Sequence, residues 1–300
     1  MYLDGVIKPI HYYTVSFSCL SHYVAPYGKK TPHPILYPII APVIMESNKE
    51  AWLKMRKMGE KLFLCRGTDA YDKQLNELCL STELRPFFGV LHPELLPYVG
   101  QNYKKTGILL VGESHYVEKA TVKQLRQTDW YHSALPPDGP YPFNSGEGAQ
   151  DWFDTREVIV RYMTNRKGRG HTIFSRPVEV LEELGLGTGD KEKDFDHFAF
   201  LNFFQRPALS KGQSFLPILE GEVLAANEVL EQVVAALNPR AVIFLSKKAY
   251  RAFEKTRCPQ TPVHAVSHPT CAWWNRRRKN GGCAEEDFKT ILAKYRGSVV

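Results

Sequence analysis

The stretch Ile108-Leu109-Leu110-Val111-Gly112-Glu113-Ser114-His115-Tyr116 decides how this chain is expected to fold. Its four leading apolar residues are typical of a short strand buried on both faces of a parallel sheet. Gly112 ends the run, and Glu113, Ser114 and His115 follow it. Because open parallel sheets bind ligands beyond the carboxyl ends of their strands, these polar residues predict a site there. A simple turn with a capping serine explains the same residues equally well.

Three further apolar runs, 198–203, 241–245 and 263–266, have the length and composition of buried parallel strands. Helical spacing of apolar residues predicts a helix over Glu222–Leu237, which Asn238 and Pro239 close. Strands that alternate with helices predict a three-layer α/β/α domain around a central parallel four-stranded sheet.

The first 44 residues are rich in aromatic residues and proline and show no helical or alternating period. Ser47 and Glu50 form a Ser-x-x-Glu capping box just after Met45, where a regular helical pattern begins. We therefore expect 1–44 to be a poorly ordered extension and 45–300 to be the folded domain, with 45–100 as its N-terminal helical part. The alternative is an N-terminal arm that packs through its tyrosines.

Composition narrows the class of protein. Lys and Arg outnumber Asp and Glu by 39 to 32, a net charge of +7, which favours an anionic partner without identifying it. The six cysteines include no Cys-x-x-Cys pair, as expected of reduced thiols in a cytoplasmic protein. The most apolar region, near residues 34–45, is interrupted by three prolines, so we expect neither a membrane span nor a signal peptide.

Two later predicted strands also contain or precede a polar residue that could contact a ligand. Asn202 lies within the apolar run 198–203, and an unpaired buried amide costs about 1–3 kcal/mol, so it needs a hydrogen-bond partner. That partner is either the protein backbone or a ligand. His268 follows the run 263–266 and precedes Pro269. A structural histidine is the alternative for this position, and a solvated face is the alternative for the basic run 276–279 that follows.

The order of these motifs resembles that of the uracil-DNA glycosylase superfamily over roughly residues 100–295. The segment 112–116 looks like its first motif: Glu113 matches the Gly-Glu form of the iron–sulfur branch, and Tyr116 falls where another branch has tyrosine. Phe143, after Tyr141 and Pro142, resembles the phenylalanine that stacks on the extruded base. Leu201-Asn202 resembles the strand-borne asparagine that reads uracil, and His268-Pro269-Thr270 is similar to the His-Pro-Ser motif.

The resemblance implies a divergent glycosylase that hydrolyses the N-glycosidic bond of uracil or a related damaged base in single- or double-stranded DNA. Glu113 and His268 would be catalytic. Substrate contacts are then expected from Gly112, Ser114, Tyr116, Phe143 and Asn202. DNA contacts are expected from Trp273, Trp274, Arg276, Arg277, Arg278 and Lys279. We expect a monomer without metal or cofactor, and no iron–sulfur cluster.

Departures from the family pattern keep two alternatives open. Ser114 stands where one branch has its catalytic aspartate, His115 replaces a usual proline, and Gln205 lies near the position of a cluster cysteine. The first alternative is therefore an inactive superfamily member that binds nucleic acid or nucleotide. The second is a hydrolase that uses Gly-Glu-Ser-His and resembles erythromycin-esterase-like proteins, although it leaves Asn202 and His268 unexplained.

Overall fold

A computed structural model describes residues 67–83, 85–115, 130–132, 154–164, 171–190, 193–208, 218–279 and 281–295. All of these residues belong to one compact unit. The predicted extension 1–44, the boundary at Met45 and the helix predicted after Ser47 lie outside the described residues.

The centre of the fold is a sheet of five strands in the spatial order β1-β3-β2-β4-β5. The strands are β1 Tyr98–Val99, β2 Ile108–Gly112, β3 Phe198–Asn202, β4 Ala241–Phe244 and β5 Val263–Ala265. Four of them, β3, β2, β4 and β5, run parallel, and their bounds agree with the predicted runs to within a residue.

The prediction of four strands is wrong by one, because β1 adds an antiparallel strand to β3 at the sheet edge. This strand is only two residues long, between Pro97 and Gly100. It is too short to show an apolar run or an alternating pattern, so only pairing with β3 makes it a strand.

Helices connect the strands and cover both faces of the sheet. Their bounds are α1 Asp72–Asn76, α2 Tyr103–Thr106, α3 Thr155–Thr164, α4 Thr172–Glu183, α5 Glu222–Leu237, α6 Lys247–Ala252 and α7 Ala284–Lys294. A π-helical turn occupies Phe87–Leu91, and 3-10 turns occupy Pro93–Leu95, Asp194–His197 and Lys255–Arg257. The predicted helix Glu222–Leu237 is confirmed with the same bounds, since Asn238 adopts a left-handed conformation (φ 46°) that ends it before Pro239.

Two apolar cores lie on opposite faces of the sheet because successive strand side chains alternate between them. Leu109 and Val111 of β2 join the core beneath α5, whereas Ile108 and Leu110 join the core beneath α3, α4 and α7. Burial on both faces explains why the strands are continuously apolar rather than alternating.

The order in which the parallel strands are connected indicates where a ligand would bind. From β2 the chain passes through α3 and α4 to β3 on one side, then through α5 to β4 on the other side of β2. This change of direction is a topological switch point, and the crevice beyond the carboxyl ends of β2 and β4 is the expected ligand position in such a sheet.

Candidate functional site

Gly112 and Asn202 are direct neighbours at the carboxyl ends of β2 and β3. A Cβ atom on residue 112 would collide with the Asn202 amide oxygen, so glycine provides the space that the asparagine side chain occupies. Asn202 is only 7% exposed, and its side-chain amide makes no hydrogen bond within the described residues. A buried amide without a protein partner points to a bound ligand or water.

The segment after Asn202 is held rigidly. Gln205 Nε2 donates to the Asn202 carbonyl at 2.5 Å, and the backbone N–H of Gln205 donates to the Tyr131 hydroxyl. Arg206 forms a buried bidentate ion pair with Glu222, which begins α5. These contacts fix the backbone at the end of β3, from which the Asn202 side chain projects.

Glu113, the residue after β2, lies against the residue that begins α6. The Ser246 hydroxyl donates a hydrogen bond of 2.6 Å to Glu113 Oε2, and both residues are buried. The Glu113 carbonyl accepts a 2.9 Å hydrogen bond from the Phe204 N–H, which also ties this residue to the segment after β3. The carboxylate is thus fixed at the switch point between β2 and β4.

Two basic side chains lie within electrostatic reach of Glu113. Burial lowers the pKa of Lys248, and the negative charge of Glu113 partly offsets that change. Burial likewise lowers the pKa of His268, again with a smaller opposing effect of Glu113. One residue after β4 and one after β5 therefore interact electrostatically with the carboxylate that follows β2.

The hydrogen bonds of His268 define its tautomer. The Thr270 N–H donates to Nδ1 at 3.2 Å, and the Thr270 hydroxyl lies 2.7 Å from the same nitrogen. Because Nδ1 accepts a hydrogen bond from the backbone, the proton of the neutral ring is assigned to Nε2. No described residue bonds to Nε2, so this N–H is available to a ligand.

Ser114 and His115 differ in their surroundings. The Ser114 hydroxyl is buried and has no hydrogen-bond partner among the described residues. His115 Nε2 lies 3.0 Å from Thr155 Oγ1 in α3, and its carbonyl accepts from the Ala208 N–H. His115 therefore links the end of β2 to its neighbours, whereas the Ser114 hydroxyl has spare hydrogen-bonding capacity.

The structure corrects part of the predicted DNA-contacting set. Trp274 is 1% exposed and packs against Phe288 in the core, with ring centroids 5.8 Å apart, so it presents no ring to a DNA groove. Trp273 is 53% exposed, and the Arg276 guanidinium lies 5.1 Å from its ring centroid. The two tryptophans differ in exposure because they are consecutive residues of a turn, where one side chain faces the core and the other faces solvent.

The four cations of the basic run 276–279 also differ in their surroundings. Arg277 lies 3.5 Å from Glu286, and Arg278 lies 2.8 Å from Asp287, so two of the four cations already have acidic partners in the first turn of α7. Arg276 and Lys279 are exposed. Of the four cations predicted to contact phosphate, Arg276 and Lys279 are therefore the stronger candidates.

Tyr116 and Phe143 lie outside the described residues, so their roles at the base remain predictions. In contrast, the structure adds Ser246 and Lys248, to which sequence reasoning gave no function. The signal was present, because Ser246 is the polar residue that follows the predicted strand 241–245, as Glu113 follows β2. What the sequence could not show is that these two strands are neighbours.

The sequence matches no protein-family model and no curated protein. Within the described ranges, no group of three or more His, Cys, Asp or Glu residues is placed to hold a metal ion. No helix in that part of the chain has the length and apolar character needed to cross a bilayer.

Proposed function

We propose that this protein is a DNA glycosylase with a uracil-DNA glycosylase-like fold, which hydrolyses the N-glycosidic bond of uracil or a related damaged base. One observation carries the proposal. The Asn202 amide and the His268 Nε2–H have no hydrogen-bond partner among the described residues. Both lie near the carboxyl ends of the parallel strands, where the Glu113 carboxylate also lies. An edge reader, a hydrogen-bond donor and an anion are the groups that base excision requires.

Asn202 suits recognition of a base that has been turned out of the helix. Its amide presents one acceptor and two donor hydrogens, which match a neighbouring donor and acceptor on the edge of a pyrimidine. Gly112 leaves room for this amide, and the hydrogen bonds after β3 hold the Asn202 backbone from which it projects. Pre-set geometry of this kind lets a site discriminate between bases because a mismatched edge leaves the buried amide unpaired.

His268 and Glu113 suit the bond-breaking step. When the bond between the base nitrogen and C1′ breaks, both electrons leave with the base, and negative charge develops on its ring oxygen. A neutral His268 that donates from Nε2 stabilises that charge. The sugar becomes cation-like, so the Glu113 carboxylate either stabilises it or takes a proton from the water that bonds to C1′.

DNA binding is supported by the surface that follows His268. Trp273 offers an exposed aromatic face, and Arg276 and Lys279 offer exposed positive charge nearby in the chain. Aromatic side chains that insert or stack, combined with cations that bind phosphate, are the usual means of holding a distorted nucleic acid.

A second candidate is an inactive superfamily member that binds nucleic acid or nucleotide. The observation in its favour is Ser114, whose unpartnered hydroxyl stands where one branch of the resembled family has a catalytic aspartate. A hydroxyl can bind a ligand but cannot carry the negative charge of a carboxylate at pH 7.

The deciding experiment is single-turnover cleavage of uracil-containing oligonucleotides, single- and double-stranded, with protein in excess and alkali added to break abasic sites. The proposal predicts strand breaks at uracil, and a Glu113→Gln, His268→Ala double variant is the matched negative control. Intact uracil in both substrates, together with retained DNA binding, would favour the inactive binder.

A further inference from the structure

We infer that Ser246 is a positioning residue for Glu113, holding its carboxylate at the reaction centre of the proposed glycosylase. The inference rests on the proposed function for its kinetic consequence. Its geometric basis, a buried hydrogen bond between the ends of neighbouring strands, is independent of the substrate.

The hydrogen bonds of the Ser246 hydroxyl assign its proton. Its oxygen accepts a 3.3 Å hydrogen bond from the Ala249 N–H and so caps α6. Its hydrogen is then directed to Glu113 Oε2, 2.6 Å away, a length typical of a hydroxyl that donates to a carboxylate. The hydroxyl thus joins the helix start to Glu113 through both its acceptor and its donor capacity.

The backbones on both sides of this bond are fixed. Val111 pairs with Phe244 in the register of β2 and β4, and the Leu245 N–H donates to the Val111 carbonyl at 2.8 Å. Glu113 and Ser246 follow within two residues of these paired positions. A glutamate side chain has three rotatable bonds, so a rigid donor restricts the carboxylate to one part of the space it could otherwise occupy.

Capping alone does not account for the arrangement. A capping serine needs only to accept a hydrogen bond, yet Ser246 also donates to a carboxylate from another strand. Lys248, in the first turn of the same helix, interacts electrostatically with Glu113 as well. The start of α6 therefore supplies Glu113 with both a hydrogen-bond donor and a nearby basic side chain.

The test compares Ser246→Ala and Ser246→Gly with Ser246→Thr. Alanine and glycine both remove the hydroxyl, but glycine is well tolerated at a helix N-cap, so it covers the case in which the alanine variant fails to fold. Threonine keeps the hydroxyl. Ser81→Ala is the matched control, because Ser81 donates an equally short 2.6 Å hydrogen bond to Glu228 in α5, outside the proposed site.

Two measurements are made on each folded variant: the single-turnover excision rate, and the His268 pKa from NMR titration of its ring. Loss of the hydroxyl should lower the rate by about 10- to 100-fold, as expected for a hydrogen bond to a charged group. It should also lower the His268 pKa in the same direction as Glu113→Gln, because a carboxylate that is no longer held acts less strongly on the imidazole.

Threonine should restore both values, and Ser81→Ala should change neither. An unchanged rate and an unchanged His268 pKa in the glycine variant would overturn the inference. If the wild-type protein excises no base, the proposed function fails, and the His268 titration alone then decides whether Ser246 positions Glu113.

Discussion

Gly112 and Asn202 pair across β2 and β3 so closely that the asparagine amide oxygen occupies the space a side chain at residue 112 would need. The ring of Phe200 lies on the same side, 3.0 Å from the position of that missing Cβ. Both neighbours belong to the buried strand β3, but the Asn202 oxygen is the end of a side chain, so an added Cβ would push this amide out of its position. The glycine that ends the first motif is therefore a requirement of the site.

We accordingly expect Gly112→Ala to displace the Asn202 amide and to reduce single-turnover excision at least as much as Asn202→Ala. Overpacking of this kind also costs about 1–3 kcal/mol of stability, measurable by urea denaturation. Gly189→Ala is the control, because its φ of 78° strains the backbone while no atom lies near the added carbon. Similar excision by Gly112→Ala and wild type would contradict the proposed role of Asn202.

Asn202 and His268 should act at different stages of the reaction. His268→Ala should slow excision by about 10²–10³-fold with little loss of DNA binding, because its donor matters most once charge develops on the base. Asn202→Ala should also be slow and should additionally relax the choice among flipped bases. Excision assays on oligonucleotides with different lesions, together with DNA titrations, distinguish the two patterns. Equal selectivity in both variants would argue against an edge-reading role.

Acid should inactivate the protein through His268. Burial lowers the pKa of this residue below its ordinary value near 6.5, so the ring is neutral above that pH. Protonation would place a hydrogen on Nδ1, which could then no longer accept from the Thr270 N–H that orients the ring. Activity should be constant above pH 6.5 and fall as the pH drops through the lowered pKa. The free energy of unfolding should also fall as the pH drops below 6.5, because the unfolded state takes up the proton more readily than the folded state.

The measurement is the single-turnover rate from pH 5 to pH 8, with thermal unfolding at the same values. His268→Gln keeps a donor but cannot titrate, so it should lose the acid limb that is due to His268. An acid limb of unchanged position in this variant would assign the titration to another group.

The buried ion pair between Arg206 and Glu222 should be important for stability. Glu222→Gln removes the buried carboxylate that forms a bidentate ion pair with the Arg206 guanidinium, for which the expected cost is about 3–5 kcal/mol in the free energy of unfolding. Lys289→Met is the control, because its 2.8 Å pair with Glu183 is exposed and should contribute less than about 1 kcal/mol. Urea denaturation measures both. Equal stability of the two variants would mean that Arg206 finds another partner.

The two adjacent tryptophans should respond in opposite ways. Trp274→Ala removes a buried ring and should lower the free energy of unfolding by about 3–5 kcal/mol. Trp273→Ala should leave stability within about 0.5 kcal/mol of wild type while weakening DNA binding. Thermal unfolding and fluorescence titration with a labelled oligonucleotide test the pair. Unchanged DNA affinity in Trp273→Ala would remove this ring from the proposed interface.

Several features were determined by the sequence itself, because they depend on local pattern. Continuous apolar runs were sufficient to predict the four parallel strands, since burial on both faces suppresses alternation. The helix Glu222–Leu237 was predicted with its bounds because apolar spacing and the Asn238-Pro239 stop are both local signals. Residues at strand ends, such as Glu113, Asn202 and His268, could likewise be selected from their positions in the sequence alone.

Other features depended on which elements meet in space, and no local pattern encodes that. Strand order made β2 and β4 neighbours, which placed Ser246 against Glu113 across more than 130 positions of sequence. Packing against Phe288 buried Trp274 while Trp273 stayed exposed, and the start of α7 supplied acids to Arg277 and Arg278. The short strand β1 likewise exists only through pairing with β3. Local propensity acts over a few residues, whereas burial and pairing are decided by the whole fold.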